Sequence, residues 1–359
     1  MVLSSLERGA IGAASLALIA AAALWVGRSR ERFRALVTAT LVLTFVLVVL
    51  GAYVRLSDAG LGCPDWPGCY GDLSPHQAAD KIRAAEVAMP SGPVSMAKAW
   101  KEMVHRYLAM IVGSLVAGIL VAAWRRHREP EAGAGLATGL AALVIFQALL
   151  GAWTVTMLLK PAIVTSHLLG GLAVLGVLVW LRLKQGGGPG DGIIPTPGLK
   201  GLSAAAFAIL LAQVALGGWT STNYAALACT DFPLCRGAWV PEMNVKDAFH
   251  VIRELGMSAE GALLPMEALV AIHWMHRVGA VVATVALGLL AHALAKAPGG
   301  RALGRGLAAL LGLQVALGIA NVLASLPLAV AVAHNAGAAL LVAWLVTINY
   351  RVNTAKSPR

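Results

Sequence analysis

Charged side chains are scarce in this sequence: Asp, Glu, Lys and Arg make up 13% of its 359 residues, against 58% hydrophobic. So little charge cannot clothe a water-soluble globule of this size, which excludes a soluble enzyme domain and points to a chain built for a bilayer. Acidic residues are scarcer than basic ones, 17 against 28, and the formal net charge is +11. That excess lies in alternate short loops rather than on one continuous face, a pattern that argues against nucleic acid as a partner. Cysteine is scarce too, with four residues in all, and none of the four lies near the basic loops.

What is abundant is long apolar runs. A span needs roughly 20 apolar residues, and nine stretches answer to that: about 9–27, 34–54, 102–124, 134–157, 163–181, 202–221, 269–294, 303–323 and 329–349. Basic residues cluster at Arg28 to Arg34, Arg125 to Arg128, Arg182 to Lys200, Lys296 to Arg305 and Arg351 to Arg359, which takes in 16 of the 28 Lys and Arg residues. The positive-inside rule makes that side cytoplasmic, so the C-terminus is inside and nine spans put the N-terminus outside. The first stretch also invites reading as a secretory signal, with Arg8 before it and Ala21, Ala22 and Ala23 within it. Its main positive charge follows the apolar run instead of preceding it, which favours an extra N-terminal transmembrane helix.

Cys63, Cys69, Cys229 and Cys235 all fall in loops on the outer side. An even number confined to that face reads as two disulfides in an oxidising compartment, such as the bacterial periplasmic side.

Internal repetition is the most informative property. Residues 51–71, GAYVRLSDAGLGCPDWPGCYG, lie over 217–237, GGWTSTNYAALACTDFPLCRG, with Cys63 on Cys229, Asp65 on Asp231, Pro67 on Pro233, Cys69 on Cys235 and Gly71 on Gly237. His105-Arg106 then matches His276-Arg277, FQALLGAW (Phe146 to Trp153) resembles LQVALGIA (Leu313 to Ala320), and His167 with Gly170 matches His334 with Gly337. The expected fold is an all-α polytopic membrane protein. It has two four-helix bundles related by a pseudo-two-fold axis along the membrane normal, plus the extra N-terminal transmembrane helix. The expected divisions are 1–33 for that helix and its basic loop, 34–184 for the first bundle, 185–201 for a cytoplasmic linker, 202–350 for the second bundle and 351–359 for a cytoplasmic tail. Glycine and proline in Gln185 to Gly198 mark the linker. The outer loops, about 55–101 and 222–268, are expected to hold short amphipathic helices, for example Val245 to Leu255.

Of nine histidines, His76, His127, His250 and His292 lie in loops or near a helix end and read as incidental. His105, His167, His276 and His334 stand at one depth, near the outer ends of four spans, two in each half. Two axial imidazoles on two helices are how a bundle holds a b-type haem. A lone intramembrane histidine would more simply hydrogen-bond to a neighbouring helix, but four at repeat-related positions favour iron. Zinc would require four convergent ligands, and these histidines come in separate pairs.

The halves differ at one place, with Glu102-x-x-His105 in the first and His273-x-x-His276 in the second. The His-Arg dipeptide makes His276 the ligand and sets His273 opposite Glu102. A carboxylate beside a haem can orient water or relay protons, which suggests one catalytic half. The bland alternative is an acid favoured at a helix start by the dipole. Arg106 and Arg277 either pair with haem propionates or snorkel to headgroups. In CPDWPGC and CTDFPLC, bonds Cys63–Cys69 and Cys229–Cys235 would pin a short turn around an Asp, an aromatic and a Pro. Thiol redox chemistry is the competing use, although neither loop is a C-x-x-C.

With these residues in place, the chain resembles the haem A synthase family over nearly everything after Arg34. The carrying elements are GAYVRLSDAGLGCPDWPGC, Glu102-x-x-His105-Arg106, His167, the second cysteine loop, His276-Arg277 and His334; the extra N-terminal helix departs from the family's eight spans. The resemblance implies an oxidoreductase that converts the C8 methyl of haem O to a formyl group by successive hydroxylations, giving haem A for cytochrome oxidase. It implies haem O as substrate on His105 and His167 with Glu102 catalytic, and a cofactor haem b (iron) on His276 and His334. It also implies a multi-pass protein of the bacterial cell membrane, in contact with membrane lipid. Partnership with the haem O synthase and cytochrome oxidase assembly factors follows from the same resemblance, and a homo-oligomer stays open. Three rival functions make different demands. A two-haem b-type cytochrome carrying electrons from quinol would form no haem A, a transporter would need polar residues at mid-membrane, and a thiol exchanger would need the cysteines and tolerate loss of the histidines.

Overall fold

The structure, a computed structural model, describes residues 29–186 and 192–355 together with positions 19 and 21. The extra N-terminal helix expected at 9–27, the centre of the 185–201 linker and residues 356–359 of the tail lie outside the described residues. Within them the chain is all-α, with no strand and only isolated β-bridges in the outer loops. Among the described residues eight helices are long and apolar enough to cross a membrane.

We number the helices α1 (Arg30–Leu56), α2 (Ala79–Ala88), α3 (Met96–Arg125), α4 (Ala134–Thr156), α5 (Pro161–Lys184), α6 (Leu199–Thr222), α7 (Val245–Ala248), α8 (Met266–Lys296), α9 (Arg301–Leu323) and α10 (Leu328–Thr354). Their ends carry the expected signals. Ser29 and Ser95 cap α1 and α3 by accepting the N–H of Arg32 and Lys98. Pro161 opens α5, and Pro265 and Pro327 precede α8 and α10, where a missing N–H costs nothing. In hydrocarbon every polar group must be satisfied within the chain. Thr40 and Thr44 accordingly return their hydroxyls to the carbonyls of Leu36 and Thr40.

Two compact units divide the chain. One holds the described residues up to Leu159 with Ala173–Gly186, and the other holds Lys160–Leu172 with the described residues after 191. In the first, α3 packs against α1 and α4, around a core that includes Phe33, Val37, Val116, Ile119 and Leu140. In the second, α6, α8, α9 and α10 close a ring, α6 on α8, α8 on α9, α9 on α10 and α10 back on α6. Ser203 and Asn349 tie the start of α6 to the end of α10 by side-chain and backbone hydrogen bonds.

The repeat reappears in the backbone. Among the described residues, the eight non-glycine ones with positive φ fall into four matched pairs: Asp58 with Tyr224, Tyr70 with Arg236, Leu158 with Ser325, and Leu159 with Leu326. Such conformations are unfavourable for side chains with a Cβ, so their recurrence at matched positions marks turns imposed by the fold.

One expected loop helix is cut short. Of Val245 to Leu255 only α7 is helical, because Arg253 gathers the chain that follows. Its guanidinium donates to the carbonyls of His250 and Met257 and to Asn223 Oδ1, and it lies over the Trp219 ring.

Candidate functional site

The two cysteine loops are built alike. Cys63–Cys69 and Cys229–Cys235 are bonded, with Cα separations of 4.9 and 4.8 Å, as the C-x5-C spacing led us to expect. Inside each ring an aspartate binds the far side of the turn: Asp65 accepts the N–H groups of Tyr70 and Gly71, and Asp231 those of Arg236 and Gly237. Cys69 bridges to Asp72, and Cys235 to Ala238. The Gly237 and Arg236 N–H groups, together with the Arg277 charge, hold the Asp231 carboxyl below the usual aspartate range. All four cysteines are at most 1% exposed. Thiol exchange needs an attacking thiolate to reach a sulfur, so this burial counts against the thiol-exchange reading.

Each loop is stapled to its helix by the arginine that follows His105 or His276. Arg106 Nη1 donates to the carbonyls of Asp65 (2.8 Å) and Gly68, and Nη2 to Glu102 Oε1 at 2.5 Å. Arg277 Nη1 donates to the carbonyls of Asp231 (2.9 Å) and Leu234 (2.7 Å), Nη2 to that of Cys229 (2.8 Å), and Nε to His273 Nε2 (3.2 Å). The two arginines, open from sequence to either propionates or headgroups, spend these donors on loop carbonyls and on Glu102 and His273.

Glu102 is 4% exposed and its Oε2 accepts the Cys63 N–H at 2.9 Å. Since α3 begins at Met96, Glu102 sits in the second helical turn, and its partners are the loop and Arg106 rather than the helix's own first N–H groups. His273 takes the matching place in the second half, 5% exposed, with Arg277 on Nε2 and the Cys229 N–H 3.3 Å from Nδ1. Carboxylate and imidazole thus share one structural position: each sits at the foot of its loop, beside the same cysteine N–H and arginine.

His276 points elsewhere, toward α6. A Cβ placed on Gly217 would lie 3.0 Å from His276 Cε1; Gly51 of α1 stands in the same relation to His105, also 3.0 Å, and Gly318 of α9 to His334, 3.1 Å. A glycine on a neighbouring helix therefore lets each ring approach bare backbone. Two glutamines that had no role in the sequence reading join them. Gln213 Nε2 lies 3.0 Å from His276 Nδ1 and 3.0 Å from the His276 carbonyl, and Gln314 Nε2 lies 3.4 Å from His334 Nε2. Each carboxamide rests on a glycine one turn beyond the histidine, Gly279 or Gly337, where a Cβ would collide with its oxygen. The spacings Q-x3-G and H-x2-G were present in the sequence as a signal.

These residues fit a haem in the second unit. His276 and His334 stand on α8 and α10 of this one unit, and His334 Nδ1 is buried with no hydrogen-bond partner. Two imidazoles suffice for an iron held in a porphyrin. Among the described residues no three His, Cys, Asp or Glu side chains gather as a metal site, so the geometry lends the zinc alternative no support. His105 and His167 fall in different compact units; His167 is partly buried on α5.

Comparison with known proteins gives concordant matches. The family model described as cytochrome oxidase assembly protein matches residues 34–346. A protein of Shewanella oneidensis named heme A synthase is 43% identical over 314 residues, covering 87% of this chain and 94% of its own length. Proteins of the same name from Sphingopyxis alaskensis and Rhizorhabdus wittichii are 30% and 28% identical, covering 85% and 88% of this chain and 87% and 92% of their own lengths.

Proposed function

The chain belongs to the cytochrome oxidase assembly protein family, and from that premise we propose that it is a haem A synthase with one substrate half and one electron-transfer half. It is a multi-pass membrane oxidoreductase that converts haem O to haem A for cytochrome oxidase. His105 and His167 are assigned to the haem O substrate by their correspondence with His276 and His334, which are assigned to a resident haem b. When bound, haem b supplies one-electron transfer.

The observation that carries this division is the Glu102–His273 exchange at one structural position. Both side chains support a loop, but only the carboxylate can accept a proton and remain paired with a guanidinium. Glu102 is 4% exposed and its Oε1 lies 2.5 Å from Arg106, a setting that keeps a proton acceptor fixed and away from bulk water. Arg106 and Arg277 act in this account as loop staples that hold a lid on the outer end of each site, and so bear on the propionates through the lid's position.

The cysteine loops face the periplasmic or outer side and the C-terminus the cytoplasm. Support comes from the basic residues of alternate loops and from two formed disulfides. A farnesylated porphyrin dissolves in lipid, so substrate enters laterally from the bilayer. Hand-over from the haem O synthase and onward to assembly factors follows from the same solubility. The test is to supply the full-length protein with haem O and electrons and extract its haems. Haem A is the expected product; haem O and haem b alone would refute the synthase reading in favour of the b-type electron carrier.

A further inference from the structure

We propose that Gln213 is a positioning residue that makes the second-half haem a resident one, by holding the ring of His276 through its carboxamide. The proposal rests on the reading above that His276 ligates the iron. Three of the four ligand histidines occur in a shared pattern: Gln213-x3-Gly217 with His276-x2-Gly279, Gln314-x3-Gly318 with His334-x2-Gly337, and Gln147-x3-Gly151 with His167-x2-Gly170. The fourth, His105, stands with Leu47-x3-Gly51 and is followed at the same spacing by Leu108. The glycine that admits the ring is kept there, whereas the carboxamide and the glycine beneath it are both replaced by leucine. The joint replacement fits steric logic, since the carboxamide of Gln213 rests where any Cβ at position 279 would collide with it.

Chemically, a carboxamide suits a ligand whose protonation pattern changes on binding iron. It can offer N–H to a bare Nδ1 or oxygen to Nδ1–H. In the structure Gln213 Nε2 is 3.0 Å from both His276 Nδ1 and the His276 carbonyl, while its oxygen is buried without a hydrogen-bond partner. With iron on Nε2 the ring would carry its proton on Nδ1, and a half-turn of the amide would present that idle oxygen to it in exchange for the Nε2–H bond to the His276 carbonyl. An acceptor at Nδ1–H orients the ring, strengthens it as a donor and favours ferric over ferrous iron. A haem held this way stays bound and has a lowered potential. The haem to be oxidised and released is assigned to the half where one of the two ligand positions has leucine instead.

The experiment uses the full chain purified with its haems, and compares Gln213→Met, Gln213→Glu and His276→Ala by potentiometric titration, low-temperature EPR and the rate of haem loss. Methionine keeps the volume and removes the hydrogen bond. It is expected to raise the midpoint potential of the second-half haem and speed its loss about 10-fold to 100-fold. Glutamate restores an oxygen and is expected to keep the haem with a potential at or below that of the parent. Equal potentials and equal retention in all Gln213 variants would overturn the proposal, as would methionine and glutamate shifting the potential the same way, which is what a packing role alone produces. His276→Ala that keeps its haem b would overturn the ligand reading beneath it, and that outcome is distinguishable because it does not involve Gln213.

Discussion

Replacing Glu102 by histidine separates its two roles, because the protein already contains the result of that replacement in its other half. Glu102→Ala would be ambiguous. It strips Arg106 of a partner in an ion pair whose side chains are 10% and 6% exposed, and breaking such a pair costs about 3–5 kcal/mol. It also leaves the Cys63 N–H without its acceptor, about 1–3 kcal/mol more. Histidine instead offers Arg106 the contact that His273 offers Arg277 at 3.2 Å, beside a cysteine N–H placed as in the second half. Glu102→His is therefore expected to keep the Cys63–Cys69 loop closed and most of the parent's thermal stability in detergent, while Glu102→Ala loses several kcal/mol. Both should lose haem A formation by about 100-fold to 10,000-fold, the range of a general acid or base. The assay is chromatography of extracted haems after haem O supply, alongside thermal unfolding and mass analysis of the disulfide. Haem A formation at the parent rate by Glu102→His would refute the reasoning and leave Glu102 as a loop anchor.

Three further outcomes follow from the geometry. Gly217→Val puts a branched side chain where even a Cβ lies 3.0 Å from His276 Cε1, so haem b content of the purified protein should fall sharply while haem O binding by the first half survives; an unchanged haem b content would contradict the cradle. Cys229→Ser with Cys235→Ser opens a ring of sequence separation 6, worth about 2 kcal/mol by the loop-entropy relation, and turnover should persist below the lowered melting point, since the cysteines are not reactants. Complete loss of turnover in protein that remains folded would count against this. Asp231 has its carboxyl held low by the Gly237 and Arg236 N–H groups, so its contribution to the second loop is present above the unfolded pKa of about 3.9 and vanishes as pH falls through the lower folded value. The protection of the Arg236 and Gly237 amides, measured against their intrinsic exchange rates, should fall below about pH 4, and Asp231→Asn should lose that acid dependence.

Much of this was legible from residue order. Hydropathy located the eight described spans to within a few residues, because a helix in lipid has little freedom to end elsewhere. The one constant offset between cysteine loops predicted two like-built turns, and the paired aspartates show what the repeated Asp is for. The arginines were harder. Beyond Glu102 and His273, their partners are backbone carbonyls, among them those of Asp65, Gly68, Asp231 and Leu234, which leave no trace in side-chain identity. Leu158, Leu159 and Leu326 adopt left-handed conformations that leucine does not advertise, and only their recurrence at matched turns points to them. The carboxamide pattern was visible in the aligned FQALLGAW and LQVALGIA strings. Its meaning needed the facing helix, since Gln314 acts on a histidine 20 positions away.

The division of labour between the halves is the central claim, and haem content of ligand variants tests it most directly. Purified His334→Ala, supplied with haem O, is predicted to contain haem O and to lack haem b. Purified His105→Ala is predicted to keep a full complement of haem b and to form no haem A. The reverse pattern, with haem b lost from His105→Ala and kept by His334→Ala, would contradict the account.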